Sequence, residues 1–174
     1  MKRNRFHVLW TVLVLGSMVA LAPSARAASN RLGVGANYWR TVDDLDKRFD
    51  RDGISWLVTY QRTLSRLLAL QSDVEWFQSG FAGATHDVFA PQAFLLAGGS
   101  IYAGVGIGIL YSDGRFNDKP YYAVRAGLDM EILPTIHLDI NANYQFSEWH
   151  EINRLQNRLG SDTVFMGAAV RFEF

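Results

Sequence analysis

The chain has no cysteine among its 174 residues. That excludes disulfides, thiolate zinc sites and a cysteine nucleophile. It also excludes a lipid-modified N-terminus, which needs a cysteine at the point of cleavage. Proline is scarce, with 4 residues, so long regular elements meet few breaks. Neither charge sign is in excess, with 17 Lys+Arg against 17 Asp+Glu. No apolar run of about 18 residues follows the N-terminal stretch, so no transmembrane helix is expected there. Any passage of the remaining chain through a membrane must be made by strands.

The N-terminus reads as a targeting segment. Lys2, Arg3 and Arg5 form a positive start, residues 8–19 an apolar run, and Ala25-Arg26-Ala27 a small-x-small cleavage pattern. The run falls short of the ~20 residues an uncleaved anchor needs. Residues 1–27 are therefore expected to be a cleaved signal peptide for Sec-dependent export, and residues 28–174 a single domain. Removing four basic side chains (Lys2, Arg3, Arg5, Arg26) leaves 13 bases against 17 acids, a formal charge of −4. Nothing in that balance points to nucleic acid.

Period-two alternation recurs along the rest of the chain and predicts eight strands. They fall at residues 32–39, 54–62, 67–77, 88–97, 101–111, 121–132, 135–146 and 163–174. The seventh alternates most cleanly: Ile136, Leu138, Ile140, Ala142, Tyr144 and Phe146 oppose His137, Asp139, Asn141, Asn143 and Gln145. The fourth is the least regular because of Pro91. Long connections (40–53, 78–87, 112–120, 147–162) alternate with short ones (63–66, 98–100, 133–134). That rhythm predicts an all-β, eight-stranded antiparallel up-and-down transmembrane β-barrel.

Alternation alone fits a barrel with its apolar face outside or inside. In the first case the polar face lines a lumen carrying Asp73, Glu75, Arg125, Asp129, Glu131, His137, Asp139, Arg171 and Glu173. Isolated charges are not stable in a dry core, but they can pair in a narrow polar bore. Aromatic residues then cluster near one rim: Tyr38, Trp56, Trp76, Phe89, Tyr111, Tyr122 and Phe146. Such a girdle suits the membrane interface. In the second case the chain is a secreted or periplasmic lipocalin-like barrel that binds an apolar ligand, with the charges exposed.

The closing stretch carries apolar residues at every second position: Met166, Ala168, Val170, Phe172 and Phe174. A last strand that ends in an aromatic resembles the C-terminal signal read by the barrel-assembly machinery of Gram-negative bacteria. The whole mature chain resembles the small eight-stranded outer-membrane barrels of the OmpA-transmembrane, OmpX and OmpW-like superfamily. The resemblance implies residence in a bacterial outer membrane among lipids and lipopolysaccharide. It leaves anchoring, adhesion, narrow-pore transport and lipid enzymology open, and it leaves the oligomeric state undefined.

A non-enzymatic barrel is the expectation, since eight strands enclose room only for side chains or one small ligand. Gly104, Gly106 and Gly108 make a smooth inner strip that can receive long side chains or open a thin passage. A hydrolase or acyltransferase needs a nucleophile, a base and an orienting acid. His137 with Asp139 offers an orienting pair without a serine beside it. His86 lies near Ser79 and Thr85, and His150 near Ser147, none in a nucleophile motif. No catalytic residue, cofactor or metal is expected. Two loops suggest surfaces. Trp149, Ile152, Leu155 and Leu159 recur at helical spacing. Asp43, Asp44, Asp46, Asp50 and Asp52 interleave with Lys47, Arg48 and Arg51, without a calcium-loop register.

Overall fold

The computed structural model describes residues 29–41, 52–81, 84–146 and 163–174. The expected signal peptide, most of the acidic first loop and the amphipathic stretch with His150 lie outside them. Eight long strands form the wall: β1 (Asn30–Thr41), β2 (Asp52–Ser65), β3 (Leu68–Phe77), β4 (Val88–Gly98), β5 (Ile101–Gly108), β8 (Tyr121–Leu133), β9 (Ile136–Phe146) and β10 (Thr163–Glu173). Between β5 and β8 lies a short hairpin, β6 (Tyr111–Ser112) and β7 (Arg115–Phe116).

Every neighbouring pair is antiparallel, and β1 closes the ring by pairing with β10 from Arg31↔Glu173 to Thr41↔Thr163. The backbones at the start of β1 and just past β10 also bond directly, with Phe174 N 2.9 Å from Asn30 O. Closure leaves none of the eight long strands as an edge, which a lipid environment requires. One end of the barrel carries the start of β1, the end of β10 and the three tight turns. The other carries the four long connections. About 11 residues at about 3.3 Å each, tilted by about 40°, span about 28 Å, close to the ~30 Å thickness of a hydrocarbon core.

The alternation resolves in favour of an apolar exterior. Leu32, Val34, Val58, Val74, Leu95, Val105, Ile107, Leu128, Ile140 and Met166 are all exposed. Asn37, Thr59, Gln71, Asp73, Glu75, Arg125, Asp139 and Arg171 are buried. The lipocalin-like alternative, with the apolar face inward, is thereby corrected. A continuous apolar wall of this size is unstable in water and suits lipid.

The fifth strand is shorter than its alternation predicts. Pairing of β5 with β8 stops at Gly108↔Tyr121, and Ile109 and Leu110 leave the ladder. The cause lies on both neighbouring sides. Ile109 falls opposite a proline on each side, Pro91 of β4 and Pro120 just before β8, and neither has an N–H to give, so the contact with β4 is a single bond from Ile109 N to Pro91 O at 3.1 Å. Pairing with β4 then resumes at Phe89↔Tyr111. Two tight turns impose left-handed backbone, at Gly98 (φ 133°) and Thr135 (φ 68°). Glycine adopts such a conformation freely, whereas a β-branched threonine is strained in it.

Candidate functional site

The polar interior is built in tiers. At the end where β1 starts and β10 ends, Arg31 Nε donates to Glu173 Oε2 at 2.7 Å and Arg31 Nη1 to Asp129 Oδ2 at 2.7 Å. His137 Nδ1 lies 3.0 Å from Asp129 Oδ1, and its Nε2 3.2 Å from Glu173 Oε2. Above them Arg171 leaves β10 and runs over Gly33, where a Cβ would collide with its Cγ. Its guanidinium donates to Gln61 and Gln71, each at 3.1 Å, and pairs with Asp139 at 3.3 Å and Asp129 at 3.4 Å.

The next tier centres on Arg125. Its Nη1 donates to Asp73 Oδ2 at 2.8 Å and its Nε to Asn143 Oδ1 at 2.5 Å. The guanidinium carbon stands 3.7 Å from the centroid of the Phe94 ring, a cation–π contact. Asp73 sits on β3 and Arg125 on β8, so this pair crosses the bore. Further up, Glu75 accepts from Asn37 Nδ2 at 2.7 Å, from Gln92 Nε2 at 3.1 Å and from Ser55 Oγ. No cation pairs with Glu75 among the described residues.

The loop end is closed by rings. Phe77 stacks on Phe81 at 3.9 Å, Trp39 meets Phe81 edge-on at 4.9 Å, and Phe165 meets Phe77 at 6.0 Å. Sequence reasoning missed this cluster because it looked inward only for charge. The signal was present: Trp39, Phe77 and Phe165 each alternate with an outward residue, so parity alone turns them inward.

Seven of the nine expected lumen residues are buried: Asp73, Glu75, Arg125, Asp129, His137, Asp139 and Arg171. Glu173 is half-buried at the mouth. Glu131 is a correction. It is exposed, because pairing with β9 shifts register between Glu131 and Leu133 and the strand has reached the rim. The expected pairing of Asp139 with His137 is a second correction. Asp139 accepts from Tyr102 Oη at 2.6 Å and Asn141 Nδ2 at 2.5 Å, while Asp129 is the acid that holds His137. His86 is exposed, its Nδ1 3.0 Å from Thr85 Oγ1.

The glycine strip is occupied. A Cβ on Gly104 would strike Leu96, one on Gly106 would strike Phe94, and one on Gly108 would strike Tyr121. These side chains come from the adjacent strands β4 and β8. In the expected girdle, Tyr38, Trp56, Trp76 and Phe89 are exposed and Tyr111 and Tyr122 half-buried. Tyr38 Oη donates to Asp52 at 2.6 Å and Trp76 Nε1 to Asp87 at 3.1 Å, each ring carrying a polar bond at its tip. Phe146 departs from the expectation. It is only 2 % exposed, with the rings of Tyr122 and Tyr144 at 6.1 and 5.9 Å. Met166, Ala168, Phe172 and Phe174 face outward and are exposed, and Val170 is half-buried.

A closed ring of eight strands with an apolar exterior and a charged, paired interior defines a small membrane-spanning β-barrel. Solved structures place it more closely. Neisserial surface protein A is similar at 15 % identity over 86 % of this chain and 100 % of that one, with a TM-score of 0.61. The N-terminal barrel domain of Pseudomonas aeruginosa OprF gives 12 % identity over 85 % and 100 % of the two chains, with a TM-score of 0.51. OprG, an outer-membrane protein of the same organism, gives 10 % identity over 84 % and 96 %, with a TM-score of 0.50. The chain thus has the fold of the small eight-stranded outer-membrane barrels. No family model and no curated protein matches it.

Proposed function

We propose that the protein is a non-enzymatic resident of a bacterial outer membrane, a barrel with a filled lumen whose outward loops serve a structural or surface-binding role. One observation carries the reading: Arg125 and Arg171, both buried, cross the bore and bond acceptors on facing strands. With the ring cluster at the loop end, they leave the interior to side chains, as the small radius of eight strands suggests. The exposed apolar wall and the fold shared with outer-membrane barrels support the location.

The wall contacts lipid, and the loop-end rim meets lipopolysaccharide. The outward face of β10, with Met166, Ala168, Val170, Phe172 and Phe174, is the part the assembly machinery reads. Export takes the Sec route, and cleavage after Ala27 releases the mature chain. In this reading His137, beside two carboxylates, serves the structure of the bore. Current recordings across planar bilayers test the filled lumen. The wild type gives no sustained single-channel steps, whereas regular steps would replace the filled lumen with a pore.

A further inference from the structure

Beyond Gly108 the wall is no longer a simple ring. The β6–β7 hairpin pairs with β4 at Phe89↔Tyr111 and Val88↔Ser112, and no ladder joins it to β8. Between this hairpin and the segment leading from β3 into β4 lies a cavity of about 330 Å³. Phe81, Ala84 and Val88 supply one part of its wall, and Leu110, Arg115 and Phe116 another.

The walls are held in place by their own bonds. Ala84 N bonds Phe81 O at 2.9 Å, and Gly80 N bonds Ala84 O at 2.8 Å. Asn117 N bonds Leu110 O at 2.8 Å across the base of the hairpin. Ser112 Oγ donates to Asp87 O at 3.1 Å and ties the hairpin to the facing segment. The floor is the ring cluster of the loop end: Phe81 and Val88 belong to it, and Ala84 and Leu110 pack against it. The cavity is thus a preformed recess above the plug, of the apolar kind that takes small ligands.

Its chemistry is one-sided. Among the described residues Arg115 is the one charged side chain in the wall. Arg115 is exposed, and no acid pairs with it among the described residues. Asp113 in the turn and Asp118 beyond the hairpin stand outside the wall. A guanidinium binds carboxylate through paired N–H donors. Size narrows the rest of the ligand. An apolar cavity of about 150 Å³ takes up one benzene ring, so about 330 Å³ suits one ring or two fused rings, whereas a long acyl chain would protrude. Rings in the wall add attraction for an aromatic guest beyond the area it buries.

We propose that this recess binds a compact aromatic carboxylate, its ring system among Phe81, Leu110 and Phe116 and its charge on Arg115. The site names a ligand class for the surface-binding part of the proposed function. Its failure would leave the filled lumen, which current recordings test, untouched.

The test is titration of the folded full-length barrel, in zwitterionic detergent micelles, with 2-naphthoate, followed by NMR of the backbone amides. Saturable shifts should appear at Ala84, Val88, Leu110, Ser112 and Phe116. Arg115→Gln, at an exposed hairpin position, should weaken binding about tenfold, as loss of a hydrogen bond to a charged group does. Ala84→Phe, which fills the recess, should abolish it. Octanoate carries the same charge without a ring and should bind more weakly than 2-naphthoate. Unsaturated shifts spread over the whole lipid-facing wall and indifferent to Arg115→Gln would mean partition into the micelle and would overturn the site. Octanoate binding as tightly as 2-naphthoate would overturn the aromatic assignment. Should Ala84→Phe not fold, the Arg115→Gln comparison decides.

Discussion

Arg171 shows how one residue holds a polar interior together. Its head group contacts Gln61, Gln71, Asp129 and Asp139, on four strands. Removing a buried cation leaves its acids uncompensated, which costs more than the pair itself contributes. Arg171→Ala should destabilise the barrel by about 3 kcal/mol, read from chemical denaturation in detergent micelles. Arg171→Met, which restores volume without charge, should fall short as well, because two carboxylates stay buried beside it. Thr135 is the opposite case. Its left-handed backbone is strained, and Thr135→Asn should stabilise by about 1 kcal/mol in the same assay. The identity of the lumen residues was legible in the sequence because each charge sits opposite an apolar stripe. Their partners were not, since Asp73 and Arg125 are brought together only by closure of the ring. The pairing of His137 with Asp129 lies across β8 and β9, and neighbourhood along one strand pointed wrongly to Asp139.

The strands themselves were legible because a half-buried wall forces a period of two, and the tight turns carry Gly98 and Pro134 where they are needed. What escaped was the break after Gly108. That break depends on Pro91 and Pro120, which lie opposite Ile109 only once register is set. The glycines of β5 gain meaning at this scale too. Gly106 is bare because Phe94 of β4 fills the space a side chain would take. Gly106→Val should prevent recovery of the compact form during refolding, whereas Gly99→Ala, at a turn with open space around it, should refold as wild type. Electrophoresis of unboiled samples separates the two outcomes.

At the scale of the whole molecule, the decisive feature is the sign of the wall. Period-two alternation is the same in a lipocalin and in a membrane barrel, so sequence pattern left the choice to indirect cues: buried charge and rim aromatics. Closure settles it, because a ring of eight strands has one inside, and Arg125, Arg171 and Asp139 fill it. Val58 stands midway along β2 on the exposed apolar face. Val58→Arg should cost about 2–4 kcal/mol in a bilayer, measured by unfolding from lipid vesicles, and far less in a barrel whose exterior met water.

The most direct test of the account is to fractionate cells expressing the full chain and compare boiled with unboiled samples by electrophoresis. A closed outer-membrane barrel that resists detergent should give a band that stays with the outer membrane and migrates differently before boiling. A band in the soluble periplasm, with mobility indifferent to boiling, would contradict it.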